Sequence, residues 1–332
     1  FSREEGVINI GVQPLYSPTG FISESMKRDV ILHNVLSELG MKVKFFPFLK
    51  GGDINFFLRR GDLDVVFGDD MPAITAAATM DVIIPALVQL GFTSLIANQP
   101  MLIRELRGKS IGYAFGSNAH YAMLKALLSD GIEEGQVKLV PVEVNEMLNA
   151  FVTGKIDAFS AWEPIPAITL STYSEAVVIH QKLSSGYIYF KKHFSDKYPD
   201  VMRQIVAAVT RSINWIQSNK YNLLQSSEWS INAGKELAGD TFQLTIEQNA
   251  SLAKNDILGL DSALIIPENS LIQSGSLHRE FEFLQKLGKI PPSSRWENVK
   301  ASFDRKVLND VLVNQMKYRI NDFNFTLKSN IK

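Results

Sequence analysis

Short apolar runs alternate along the chain with stretches in which apolar residues recur every three or four positions. Residues 7–14, VINIGVQP, read as a buried strand that runs into a loop at Gln13-Pro14. Over 24–39, Met26, Val30, Leu32, Val35, Leu36 and Leu39 fall at helical spacing, and Gly40 is a stop signal. Residues 42–48 form a second strand. Asp53 is placed to cap a short helix through Leu58, which Gly61 ends, and 63–68 form a third strand. This alternation predicts a parallel, doubly wound sheet.

The pattern restarts near 108: a strand and loop at GKSIGYAFG, a helix over 118–129, a strand over 137–142, a helix over 145–153 and a strand over 156–162. The two halves even share wording. GDLDVVFGDDMPAIT (61–75) and GKIDAFSAWEPIPAIT (154–169) both begin Gly-x-[Leu/Ile]-Asp and end Pro-Ala-Ile-Thr. The expected fold is therefore α/β, two doubly wound Rossmann-like lobes joined by a hinge with a cleft between them. Beyond about 190 the pattern is mainly helical: 200–219, then 281–290 stopped by Pro291-Pro292, then one or two helices within 295–323. These are expected to close the first lobe. Asn249 and Asn324 start glycosylation-type triplets, a pattern common by chance.

Composition narrows the function. A length of 332 residues favours two domains, and 45% hydrophobic content supports a large core. A net charge of −1 without long like-charge blocks disfavours nucleic acid as a partner. With no cysteine, disulfides, thiolate metal sites and cysteine nucleophiles are excluded. No apolar run is long enough to span a membrane. The start at Phe1 reads as a processed or trimmed segment.

Ligands of open parallel sheets bind outside the carboxyl ends of the strands. That rule selects the loops 13–19, 50–53, 68–72, 115–120 and 162–166. Gly116 permits an unusual backbone angle, and Ser117 or Asn118 can cap the following helix, whose first amides suit an anionic or strongly polar group. An ordinary cap without a ligand explains the same residues. Asp69-Asp70 and Glu163 hold equivalent places in the two halves; they can hold a cation, act as an acid–base pair, or simply cap helices. Trp162 can wall a pocket or fill space. His120 can be a packed histidine as well as a ligand contact. The five histidines show no metal-ligand spacing, and neither a phosphate-binding glycine loop nor a G-x-S-x-G elbow is present. No metal, cofactor or catalytic residue is expected.

The stretch 106–167 carries Leu-x-Gly-Lys, a Gly-Ser-x-Ala-His-Tyr loop and Gly-x-Ile-Asp-Ala running to Trp-Glu-Pro. It resembles the nitrate/sulfonate/taurine family of substrate-binding proteins of ABC transporters, and weaker likeness extends over 7–313. The resemblance implies a type II periplasmic binding protein fold. It implies lobe 1 at 6–95 plus 188–320, lobe 2 at 98–186, hinge strands near 92–99 and 183–190, and an extracytoplasmic place, periplasmic or extracellular. Carried over by position, the ligand contacts are Gln13, Leu15, Tyr16, Asp69, Asp70, Gly116, Ser117, Asn118, Ala119, His120, Trp162 and Glu163.

Two features depart from that pattern. Asp69-Asp70 places two carboxylates where one acidic or neutral residue is usual. Without a nearby cation they would repel an anion by about 4 kcal/mol at 4 Å, which favours a zwitterion, an amine or a pyrimidine-like heterocycle over a simple sulfonate or nitrate. The polar extension 313–332 runs past the family's usual end. A solute-binding protein serving an ABC importer is thus expected; the sensing ectodomain of a membrane-anchored receptor (a histidine kinase or cyclase) is the alternative, and an enzyme of pyrimidine or thiamin-precursor chemistry a third.

Overall fold

The computed structural model describes residues 1–239, 244–256 and 264–326. The first half runs β1 (Val7–Val12), α1 (Thr19–Arg28), α2 (Val30–Glu38), β2 (Lys42–Pro47), α3 (Gly51–Arg60), β3 (Val65–Asp69), α4 (Asp70–Thr79) and the long β4 (Val82–Ala97). The second runs β5 (Ser110–Tyr113), α5 (Asn118–Ser129), β6 (Lys138–Pro141), α6 (Met147–Val152), β7 (Ala158–Trp162) and α7 (Ile165–Thr172), returning through β8 (Val177–Lys191). Then follow α8 (Lys192–Lys197), α9 (Pro199–Ser218), α10 (Lys220–Ala238), α11 (Ile246–Asp256), α12 (Glu268–Leu271), α13 (Ser276–Lys286), α14 (Trp296–Ser302), α15 (Arg305–Val313) and α16 (Gln315–Tyr318).

Among the described residues the strands form one sheet in the order β2-β1-β3-β8-β4-β7-β5-β6. Each half keeps its expected parallel triplet, β2-β1-β3 and β6-β5-β7. The join is an antiparallel ribbon: β4 and β8 pair from Val82↔Lys191 to Ala97↔Val177. Of the stretches expected as a hinge, 92–97 and 183–190 belong to this ribbon, and 98–99 follow its end. Alternation along the strands feeds a core on each face of each half. Val65 and Phe67 face the cluster of Ile10, Ile188, Phe190 and α9, whereas Val66 faces Leu63, Tyr187, Tyr189 and α13. In the second half Ile111 packs with α5, while Phe159 and Ala161 pack with α6 and α7.

The shared Gly-x-[Leu/Ile]-Asp has one physical job in both halves. Gly61 (φ +84°) and Gly154 (φ +70°) take left-handed backbone just past a helix end, which L side chains resist. Three residues on, Asp64 Oδ2 accepts from the Asn9 amide (2.9 Å), and Asp157 Oδ2 accepts from the Ser110 amide (2.8 Å). Each carboxylate thus satisfies a backbone donor on the first strand of its own half. Pro72 and Pro166 fall in the first turns of α4 and α7, where an amide has no intrahelical acceptor.

Three expectations need correction. The helix over 24–39 is two helices broken at Asp29, whose extended backbone lets Oδ1 cap α2 at the Ile31 and Leu32 amides. Its Oδ2 meets the buried Arg211 guanidinium (2.6 Å), a charge that demands a partner in the core. Asp53 lies inside the first turn of α3 rather than capping it. The segment 295–323 holds three helices, with Asp304 capping α15 through the Lys306 amide. The C-terminal segment also folds back as far as it is described. Val30 N donates to Asn324 O (2.9 Å), Thr326 N donates to Arg28 O (3.0 Å), and Phe325 stacks on Trp215 with centroids 4.4 Å apart. Residues 327–332 of the expected extension lie outside the described residues.

Candidate functional site

The strand-end loops of both halves meet and close on each other. Tyr16, after β1, sits edge-on to Trp162, at the end of β7, with centroids 5.9 Å apart. Ser17 N donates to Glu163 O (3.3 Å), and Lys50 pairs with Glu143 (2.5 Å) across the mouth. Gly52 faces the backbone of Gly116 so closely that a Cβ there would lie 3.2 Å from the Gly116 carbonyl oxygen.

Local structure explains how these residues are held. Gly116 has φ +73°, the unusual backbone angle anticipated from sequence. Ser117 caps α5, its Oγ accepting from His120 N (3.3 Å). Asn118 instead ties α5 to the ribbon, its Nδ2 donating to Thr93 Oγ1 (3.2 Å) and to Ser184 Oγ. Ala119 is fully buried in the core beneath this turn. Gly68 admits no side chain, since a Cβ would fall 2.8 Å from the Tyr189 hydroxyl.

Not every anticipated contact joins this cluster. Leu15 does, packing in one apolar cluster with Tyr16, Ala119 and Trp162, and it also reaches α10, where a Cβ on Gly234 would meet it at 2.8 Å. Gln13 is buried beside Gly51. His120 packs at a tilt against Tyr113 (4.4 Å) and Phe115 (5.4 Å), and its Nδ1 accepts from Gly116 N (3.4 Å). Burial, aided by Lys289, pushes its pKa down to about 4, so the imidazole is neutral at pH 7. Glu163 Oε2 accepts from the Ala167 amide (3.1 Å) in the first turn of α7.

The paired aspartates part company. Asp70 Oδ1 accepts from Met71 N (2.9 Å), and Oδ2 meets the Lys182 ammonium (3.1 Å). Lys182 also pairs with Glu280 of α13 (2.6 Å) and lies 4.9 Å from the centroid of the Tyr121 ring. Burial opposes its charge, but Asp70 and Glu280 outweigh that and raise its pKa. The double aspartate therefore does have a nearby cation, contrary to the expectation from sequence: Lys182, paired with Asp70. Asp69 forms no ion pair with a described residue; burial, then Asp70, raises its carboxyl well above the usual range, against the opposing influence of the Tyr16 hydroxyl and the Lys182 charge. Burial first, then Asp69, likewise raises the Tyr16 phenol.

Two further acids complete the surroundings. Asp256, at the end of α11, lies over Gly91 of β4, where a Cβ would be 3.2 Å from its Oδ2. Its charge acts on both Tyr16 and Glu163. Burial raises Asp256 to about 6 and Glu163 to about 7. Several buried polar atoms here make no hydrogen bond within the described structure: Asp69 Oδ1, Gln89 Nε2, Asn118 Oδ1, Ser160 Oγ and Trp162 Nε1. They come from both halves and from the ribbon. An unmade buried hydrogen bond costs about 1–3 kcal/mol, so such a group calls for a bound molecule with its own donors and acceptors. Sequence reasoning missed Gln89, Thr93, Ser160, Lys182, Ser184, Asp256 and Glu280. Only Ser160, two residues before Trp162 on a recognised strand, offered a local signal. Among the described residues no group of three or more His, Asp or Glu side chains is placed to hold a metal ion, and no helix is long and apolar enough to cross a membrane.

Two α/β halves closing over an enclosed polar cluster, joined by a two-stranded ribbon, define a bilobal protein of the periplasmic binding protein type. Residues 82–221 match the family model described as NMT1/THI5 like. A putative aliphatic sulfonates-binding protein of Bacillus subtilis (strain 168) is 26% identical over 218 residues, covering 63% of this chain and 64% of that protein. The taurine-binding periplasmic protein of Escherichia coli (strain K12) is 28% identical over 178 residues, covering 50% and 55%. These matches span less than two thirds of either relative's length. Among solved structures, the alkanesulfonate-binding protein SsuA from Xanthomonas axonopodis pv. citri, bound to MOPS, superposes with a TM-score of 0.68 at 16% identity, covering 91% of this chain and 99% of that one. The desulfurization enzyme DSZB shares the fold at a TM-score of 0.60 and 12% identity, covering 94% and 100%. The chain is thus similar in sequence to proteins named for binding aliphatic sulfonates and taurine, and it shares the fold of a solved alkanesulfonate-binding protein.

Proposed function

We propose that the chain is an extracytoplasmic solute-binding protein that encloses one small polar molecule and delivers it to an ABC importer. The lobes are 6–95 with 188–320, and 98–186; closure is a bend of the β4–β8 ribbon. The observation that carries this reading is the set of unpartnered buried polar atoms contributed by both halves, from Asp69 Oδ1 to Trp162 Nε1. The ligand contacts are Tyr16, Asp69, Asn118, Trp162 and Glu163, with the α5 N-terminus at 116–119 receiving a polar group; Asp70, His120, Gln13 and Leu15 support them from behind. The reading is binding without turnover, as in the relatives named as binding proteins.

Small-angle scattering tests it. A compound that raises Tm in a screen of sulfonates, amines, amino acids and pyrimidines is expected to reduce the radius of gyration, because the ligand favours the closed form. An unchanged radius with the compound bound refutes closure, and a screen with no hit refutes the binding role.

A further inference from the structure

The charges around the enclosed cluster are unevenly distributed. Lys182 is committed to Asp70 and Glu280. Lys125 and Arg279 act on that same side, through Glu280 and Tyr121. Asp69, Glu163 and Asp256 take part in no ion pair with a described residue, although the Lys182 charge reaches Asp69, and the Asp256 charge raises Glu163. Acidic groups alone would not make a site. Here they adjoin Trp162, an indole 2% exposed whose Nε1 has no partner, and Asn118, 1% exposed, whose Oδ1 has none. Tyr16 lies edge-on to Trp162, and the sheet register sets Asp69 opposite Gly186, Gly186 opposite Gln89 and Thr93 opposite Trp162, so aromatic surface and carboxylate line one stretch of the ribbon.

We infer that the solute is a small organic cation: a protonated nitrogen base with N–H donors on a flat body, bound by Asp69, Asp256 and Glu163 and stacked against Trp162 and Tyr16. This deepens the solute-binding reading and rests on it. Burial holds these carboxyls toward their protonated forms, and a bound cation lets them ionise. A cation over aromatic faces gains further attraction. The acceptors, Asp69 Oδ1 and Asn118 Oδ1, match N–H donors. An anion would meet three carboxyl groups that no described ammonium or guanidinium pairs with.

Thermal shift and calorimetry on the purified chain are the test, with benzamidine, agmatine and 4-aminopyridine in one arm and butanesulfonate, taurine and nitrate in the other, at matched ionic strength. The expected result is a Tm increase of several degrees with a cation and none with the anions. Asp256→Asn should weaken cation binding at least tenfold while leaving the circular dichroism spectrum unchanged. Glu163→Gln, which keeps an oxygen for the Ala167 amide, should do the same and covers the case in which Asp256→Asn fails to fold. Binding in the anion arm alone overturns the inference and leaves the solute-binding reading standing. Cation binding that both variants leave intact also overturns it. Binding in neither arm overturns it together with that reading.

Discussion

Lys182 sits between two buried carboxylates, and replacing it isolates both. In Lys182→Met the stem is roughly conserved and the charge is lost. The side chains of Lys182, Asp70 and Glu280 are 11%, 4% and 7% exposed, so solvent screens them little. Removing one partner of a buried pair costs about 3–5 kcal/mol. With about 2.1 cal/mol/K of unfolding entropy per residue, a chain of 332 residues should lose about 4–7 °C of Tm. The pH dependence gives a second check. Burial, then Asp70, raises Glu280 to about 7. A carboxyl raised on folding stabilises the native state below its unfolded pKa, and that contribution is lost as pH rises through about 7. The deficit of the variant should therefore be largest at alkaline pH and shrink on acidification, as Glu280 takes up a proton. The double variant Lys182→Met/Glu280→Gln should recover part of it. Differential scanning calorimetry across this range is the assay. A loss smaller than about 1 °C at alkaline pH, or a loss independent of pH, would refute the argument from an uncompensated buried charge.

Two other outcomes follow from single side chains. Trp162→Phe removes an indole N–H that has no protein partner, so urea unfolding without ligand should change little while affinity for any enclosed solute falls about tenfold; equal losses in both would assign Trp162 to packing. Arg211→Met strips Asp29 of its counter-charge and frees the carbonyls of Tyr318 and Arg319, at a cost of about 3–5 kcal/mol; hydrogen exchange should rise first over 314–326, and unchanged exchange there would count against the role given to Arg211.

The sequence was most legible where pattern and backbone need coincide. The strands around Val65–Asp69 and Ala158–Trp162, the helix at 118–129 and the turns at Gly61 and Gly154 follow from local chemistry. Asp29 was not legible, because the break it makes answers Arg211, 182 residues later. The same holds for the site. Asp69, Ser117 and Trp162 stand on loops that the strand-end rule selects. Lys182 comes from mid-strand and Asp256 and Glu280 from helices of the long C-terminal region, where periodicity reports a buried face and says nothing of which charge it meets. The double aspartate therefore looked like one acidic feature. In three dimensions Asp70 is half of an ion pair, and Asp69 alone keeps an oxygen unpartnered beside Trp162.

Phe92 and Leu183 face each other across neighbouring strands of the β4–β8 ribbon. The chain therefore departs for the second half and comes back at points about one strand spacing, 4.7–4.9 Å, apart. A segment of some ninety residues is thus spliced into the first half as a cassette whose ends nearly touch. A tight hairpin could bridge the gap, leaving β2-β1-β3-β8-β4 with its own two-faced core. Provided Lys182 is kept opposite Asp70 and Glu280, that topology lets the inserted cassette, which carries Asn118, Trp162 and Glu163, diverge while its host keeps its core, and on the proposed function solute preference could then be rewritten in one block.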